Sequence, residues 1–146
     1  MKYLFLLCVS LLASADGGED VMNDIAFSKY KNFERDWKMV TVRYRKDTGE
    51  MRFTYANPSA YKALIDGKSE YPDGAVFAKI GAGTNPDSDF ASSEVPSGAR
   101  RFQFMVRNSK KYASTGGWGY ALFDQGGKTF DEDIKVKTQS CYACHL

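Results

Sequence analysis

Trp37-Lys38-Met39-Val40-Thr41-Val42-Arg43-Tyr44-Arg45 runs into Lys46-Asp47-Thr48-Gly49 and returns through Met51-Arg52-Phe53-Thr54-Tyr55-Ala56. Both flanks are rich in β-branched and aromatic residues and Lys46-Asp47-Thr48-Gly49 is turn chemistry, so the segment predicts a β-hairpin. In its first strand Val40, Val42 and Tyr44 are expected on one face. Asn57-Pro58 then supplies an N-cap and a proline at the first helical position, predicting a helix through Ile65 that stops at Gly67. Three further strands are predicted, Ala75 to Ile80, Arg101 to Arg107 and Trp118 to Phe123. Upstream, Val21, Met22, Ile25, Phe27, Tyr30 and Phe33 are loosely compatible with a short amphipathic helix within residues 20 to 36. Gly81 to Ala99, with Asn85-Pro86-Asp87-Ser88-Asp89 and Val95-Pro96, reads as a long loop, and loops of this length often cover a site. Its carboxylates lack the glycine and terminal glutamate spacing of a calcium loop. Asn108 to Tyr112 is expected to form a short turn or helix.

The last six residues, Cys141-Tyr142-Ala143-Cys144-His145-Leu146, contain C-x-x-C-H, and His145 is the only histidine. Two thiols at this spacing each add to one vinyl group of a haem while the adjoining imidazole ligates iron, which makes the run an attachment signature for c-type haem. A structural disulfide, a redox dithiol and half of a zinc site are the other readings. Zinc needs four ligands, and no second C-x-x-C or distant histidine completes the set. A thioredoxin-like dithiol belongs near the start of a helix in a βαβ unit. Covalent haem c, with iron on His145, uses all three residues. The fold class is therefore mainly β (α+β), a single antiparallel β-sheet domain with a few short helices and a C-terminal haem-attachment helix following Gly126-Gly127. Met22, Met39, Met51 and Met105 fall where core residues are also expected. With no second histidine, the distal face of the iron is expected to be open, where a small molecule can bind.

At the other end, Met1-Lys2, the apolar run Tyr3 to Leu12 and Ala13-Ser14-Ala15 form a secretory signal pattern, too short to span a bilayer. Residues 1–15 are read as a signal peptide removed on export across the inner membrane, and residues 16–146 as one periplasmic haem domain. A lipid anchor at Cys8 is the weaker alternative, because Phe5-Leu6-Leu7 lacks the small residue that usually precedes a lipidated cysteine. Loss of Lys2 takes the 20 basic side chains to 19 against 18 acidic, a balance that does not favour nucleic acid as a partner.

The segments Trp37 to Val42, Arg52 to Tyr61, Tyr71 to Ile80 and Arg101 to Phe123, taken with the terminal C-x-x-C-H, resemble cytochrome P-460 and its relative cytochrome c′-beta over nearly all of the mature chain. The most specific stretch is Asp73-Gly74-Ala75-Val76-Phe77-Ala78-Lys79. In the family pattern the lysine of a matching D-G-x-V-x-x-K segment bonds to a meso carbon of the haem, and Lys79 holds that place. In a strand Lys79 shares a face with Ala75 and Phe77 while Val76, Ala78 and Ile80 point away. The bland alternative is a solvated lysine on an edge strand. The resemblance implies an oxidoreductase that turns hydroxylamine into nitric oxide or nitrous oxide and passes electrons to a redox partner such as a soluble cytochrome. It also implies a homodimer. Arg52 falls at the family's pocket arginine, and Gln103 at its distal carboxylate, where an amide hydrogen-bonds but does not accept a proton. Glu94 is another carboxylate that could stand in, although a surface position suits it better. Family chains continue beyond the haem motif, whereas Leu146 alone follows His145; either the piece is shortened or the proximal haem face lacks its usual cover. The alternative functions are a cytochrome c′-beta-like gas-binding protein, with phenylalanines such as Phe77 restricting access, and a simple electron carrier. Arg100, Arg101, Arg107, Lys110 and Lys111 could guide an acidic partner.

Overall fold

The computed structural model describes residues 18–20, 23–129 and 141–145, so the expected signal peptide lies outside the described residues. Strands β1 (Glu19–Asp20) and β2 (Ile25–Ala26) pair antiparallel and lead into two one-turn helices, α1 (Phe27–Tyr30) and α2 (Phe33–Asp36). The single helix expected within residues 20 to 36 is thus divided. The Asn32 carbonyl accepts the backbone N–H groups of Arg35 and Asp36, starting a fresh turn there.

Strands β3 (Lys38–Arg45), β4 (Glu50–Ala56), β5 (Val76–Pro86), β6 (Glu94–Arg107) and β7 (Trp118–Phe123) form one antiparallel sheet whose spatial order is the sequence order. The fold is mainly β, as expected, with a short helix over residues 141–145. The predicted hairpin is β3–β4, closed by the Arg45–Glu50 pair. The common face expected for Val40, Val42 and Tyr44 is not formed. The register shifts between Met39 and Thr41, so Val40 packs against Ala56 and Ala60, whereas Val42 and Tyr44 stand exposed opposite Phe53 and Met51. One extra residue in a strand reverses the facing of everything beyond it.

Helix α3 (Pro58–Ile65) joins β4 to β5 and starts where expected. Asn57 Oδ1 accepts from the backbone N–H of Ala60 at 2.9 Å and of Val76 at 3.0 Å, while Nδ2 donates to the Gly74 carbonyl at 2.9 Å. One side chain therefore caps the helix and ties it to β5. Asn57→Ala is expected to destabilise the fold by about 2 kcal/mol, the upper end for a lost cap, read as a lower midpoint in denaturant with unchanged slope.

The long loop expected at Gly81 to Ala99 is instead a two-stranded arm. Beyond a register shift at Gly81 and Gly83, pairs run Gly83–Ser97, Thr84–Pro96, Asn85–Val95 and Pro86–Glu94. Asp87 closes the turn by accepting from the N–H groups of Asp89 and Phe90. The arm extends past the reach of β4, whose last partner on β5 is Ala82, and of β7, which begins pairing at Phe102. Among the described residues neither outer edge of the arm pairs with another strand, a setting in which strands tolerate proline.

The central strands bury residues on both faces of the sheet. Val76, Ala78 and Ile80 point to one side, where Ile25, Phe33, Tyr55, Phe102, Phe104 and Phe123 form the main core under α1 and α2. Phe33 meets Phe104 edge to face, with centroids 5.5 Å apart at 89°. On the other side Ala56, Ala60 and Ala75 pack with Tyr71, Phe77 and Trp118 beneath α3. The rest of that second face is the candidate site.

Candidate functional site

Cross-strand pairing sets Thr54, Lys79, Gln103 and Leu122 in one row across β4 to β7. The next row carries Ala56, Phe77, Met105 and Tyr120. Side chains directly opposite one another lie on the same face. Against them stand Cys141 and His145 of the C-terminal helix, enclosing a cavity of about 160 Å³ lined also by Thr54, Phe77, Lys79, Gln103, Met105 and Tyr120. Lys79 is half-buried on the middle strand of five, so the edge-strand alternative does not hold. A larger cavity of about 350 Å³ lies between the opposite face and the arm, lined by Phe53, Tyr55, Ile80 and Pro96 among others, and contains none of the candidate haem residues.

Of the residues singled out, Lys79, Gln103, Phe77, Cys141 and His145 meet in one cavity, while Cys144 is exposed on the same short helix. Both thiols are free. Residues three and four apart on a helix are neighbours, so the two thiols and the imidazole form a donor set of the kind that holds a haem through two thioethers and an axial ligand. The His145 ring packs on Tyr120, with centroids 5.8 Å apart at 34°. Phe77 has a double role: it lines the cavity and makes edge contact with Tyr71 at 5.2 Å.

Burial lowers the pKa of the Lys79 amine, and the nearby Arg52 cation lowers it further, against an opposing pull from Glu50. Desolvation also lowers His145, helped by Lys79, and so favours the neutral imidazole that a metal requires. The Cys141 thiol is raised by burial, and Tyr120 is pushed up to about 12 by burial and then by Cys141. Among the described residues, none that lines this cavity is a carboxylate. Glu94 is exposed in the arm, paired with Pro86, and stands away from it.

Arg52 sits one row from Lys79, paired with Gly81. There the structure adds a residue that the sequence did not disclose. Glu50 is buried and accepts hydrogen bonds from Arg52 Nε and from a terminal nitrogen of Arg101. Burial alone would raise its carboxyl, but the two guanidinium groups outweigh that and its pKa falls below the ordinary value. Its ionised form thus adds stability above the unfolded-state pKa, a contribution lost as pH falls through the folded value. The basic cluster is largely engaged within the chain: Arg100 pairs with Glu34 at 2.7 Å, Arg101 with Glu50, and Lys111 with Asp24 at 2.7 Å. Arg107 stacks on Trp118 and donates to the Tyr71 carbonyl at 3.2 Å.

No curated protein matches the chain. The family model for cytochrome P-460 matches residues 30–146, a span that takes in all five strands of the main sheet and the C-x-x-C-H helix. With that match over residues 30–146, and with Lys79 of the sheet facing Cys141 and His145 of the terminal helix across one cavity, the chain belongs to the cytochrome P-460 family of haem proteins.

Proposed function

We propose that this chain is an exported periplasmic haem c protein that oxidises hydroxylamine, with Cys141 and Cys144 carrying the porphyrin, His145 as axial ligand and Lys79 as a third covalent tether. The observation that carries the proposal is the placement of Lys79: half-buried on the central strand and in one cavity with Cys141 and His145. Bond formation from Nζ to a meso carbon replaces one N–H and one C–H by C–N, a loss of two protons and two electrons that requires an oxidant of the peroxide class. A depressed amine pKa supports it, because the neutral amine holds the lone pair that makes the bond. When bound, the haem supplies the coordination position for substrate and the route by which electrons leave. Each hydroxylamine converted to nitric oxide gives up three electrons and three protons; two converted to nitrous oxide and water give up four of each. A soluble redox protein on the same side of the membrane takes the electrons, and the protein works as a homodimer.

The chain's own groups orient and restrict. Gln103, directly across from Lys79, offers an amide to the bound nitrogen or oxygen. Phe77 narrows the cavity, and Arg52 adds a fixed positive charge one row away. Among the described residues no carboxylate lines the cavity, so protons leave through solvent. That same feature favours a second reading, a gas-binding protein of the cytochrome c′-beta kind with no turnover. Steady-state hydroxylamine oxidation by the parent holoprotein separates the two, and the proton step is tested by Gln103→Glu. It is expected to raise hydroxylamine turnover about tenfold or more, within the range for one added general base; an unchanged steady-state rate would show that proton transfer at position 103 does not limit the reaction. Mass spectrometry of the digested holoprotein tests the tether, which requires a single haem-bearing species containing both the Lys79 peptide and the Cys141–Cys144 peptide. Recovery of haem on the cysteine peptide alone would refute it.

A further inference from the structure

Glu50, Arg52, Gly81 and Arg101 form a second constellation beside the cavity. Pairing places Arg52 opposite Gly81 and Gly81 opposite Arg101, one row along from Thr54, Lys79 and Gln103. Two residues along a strand span roughly 6.6 Å, so a group seated in the cavity is within reach of this row. Glycine weakens a central strand and often marks a place where another group approaches closely. Here a Cβ on Gly81 would collide with the Glu50 carboxylate, which occupies the space that any larger residue would take.

The Glu50 side chain is 6% exposed and bridges the two guanidinium groups. One acid between two bases leaves a net positive charge on this row. Burial of the bridging carboxylate fixes both forks, and the Arg52 and Arg101 side chains remain 27% and 51% exposed. Each guanidinium carries five N–H donors and uses one nitrogen on Glu50. Two arginine forks immobilised on the same face, with donors to spare, match the planar, bidentate demand of an oxyanion better than a flexible lysine could.

We propose that Glu50, Arg52, Gly81 and Arg101 form a preorganised oxyanion seat at the edge of the haem cavity, in which Glu50 is the positioning residue for both arginines. The seated group is a carboxylate of the porphyrin or a small nitrogen oxyanion such as nitrite, chemistries that share one recognition mode. The proposal rests on haem occupying the adjoining cavity.

The test uses purified holoprotein and its Arg101→Gln and Glu50→Gln variants, with two readouts: the haem midpoint potential across pH, and nitrite affinity followed in the Soret band. If the seat holds a porphyrin carboxylate, Arg101→Gln lowers the midpoint potential and both variants change its pH dependence, while nitrite affinity stays within about twofold. If it holds a small oxyanion, nitrite affinity weakens about tenfold, or about 1.4 kcal/mol, at unchanged potential. A fall in thermal stability with both readouts unmoved would identify a purely structural ion pair and overturn the proposal. Should Glu50→Gln fail to fold, Arg101→Gln, altered at a half-exposed side chain, carries the test. A colourless parent protein would instead overturn the functional reading above, a failure distinguishable from unmoved variants of a coloured parent.

Discussion

Lys79→Ala is expected to leave the haem on both cysteines while returning its optical spectrum to that of an ordinary five-coordinate, high-spin c haem, and to reduce hydroxylamine turnover at least about tenfold. A carbon–nitrogen bond at a meso position interrupts the porphyrin's conjugation and distorts the ring, so it alters the iron without changing its axial ligand. The substitution removes that bond but touches neither thiol nor imidazole. It also removes a cation from a half-buried position, which relieves the downward pull on His145. A tenfold loss corresponds to about 1.4 kcal/mol of barrier, a modest demand on an electronic effect acting directly on the reacting metal. Lys79→Arg, which keeps the charge and cannot make the same bond, should behave like Lys79→Ala in its spectrum. Identical spectra for the parent and both variants would rule out the tether, leaving Lys79 as a half-buried cation at the cavity wall.

Phe104→Ala should destabilise the folded chain by about 3 to 5 kcal/mol. Phe104 is 1% exposed and lies at the centre of the larger core. Its ring meets Tyr30 at 5.3 Å, Phe33 at 5.5 Å and Phe123 at 5.8 Å, so one truncation empties a space bounded by α1, α2 and β7. A sheet sandwiched between two sets of aromatic residues has little freedom to collapse into that space, which favours the upper end of the range. Domains of this size are stable by roughly 5 to 15 kcal/mol, so the variant should lose a large share of the total. Urea unfolding of the purified protein would show it as a lower midpoint with the slope preserved. A loss under about 1 kcal/mol would mean that the core tolerates the gap through rearrangement.

Local chemistry was legible in the sequence wherever it decides structure by itself. The β3–β4 hairpin is carried by its turn residues, and the start of α3 by Asn57-Pro58. Lys79 was legible because strand alternation and a short motif agree on its facing. The arm was not legible: Gly81, Gly83, Asn85, Pro86 and Pro96 all read as loop, and their pairing depends on two strands continuing beyond the sheet. Val40 escaped for a related reason, since a bulge is visible only against a partner strand. Glu50 was the least accessible. A glutamate beside a turn glycine reads as solvated, and its burial is set by Gly81 and Arg101, residues remote in the chain.

The sheet's neighbours in space are its neighbours in sequence. Every pairing therefore closes between consecutive strands, with no crossover, and the contact order is low for an all-antiparallel architecture. Such a chain can zip from hairpin to hairpin without first trapping distant segments. The helix bearing Cys141 and His145 comes after all five strands, so the wall carrying Lys79 and Gln103 uses none of residues 141–145 for its strand pairing. If the strands pair in chain order, Cys141 and His145 meet a sheet face that is already formed.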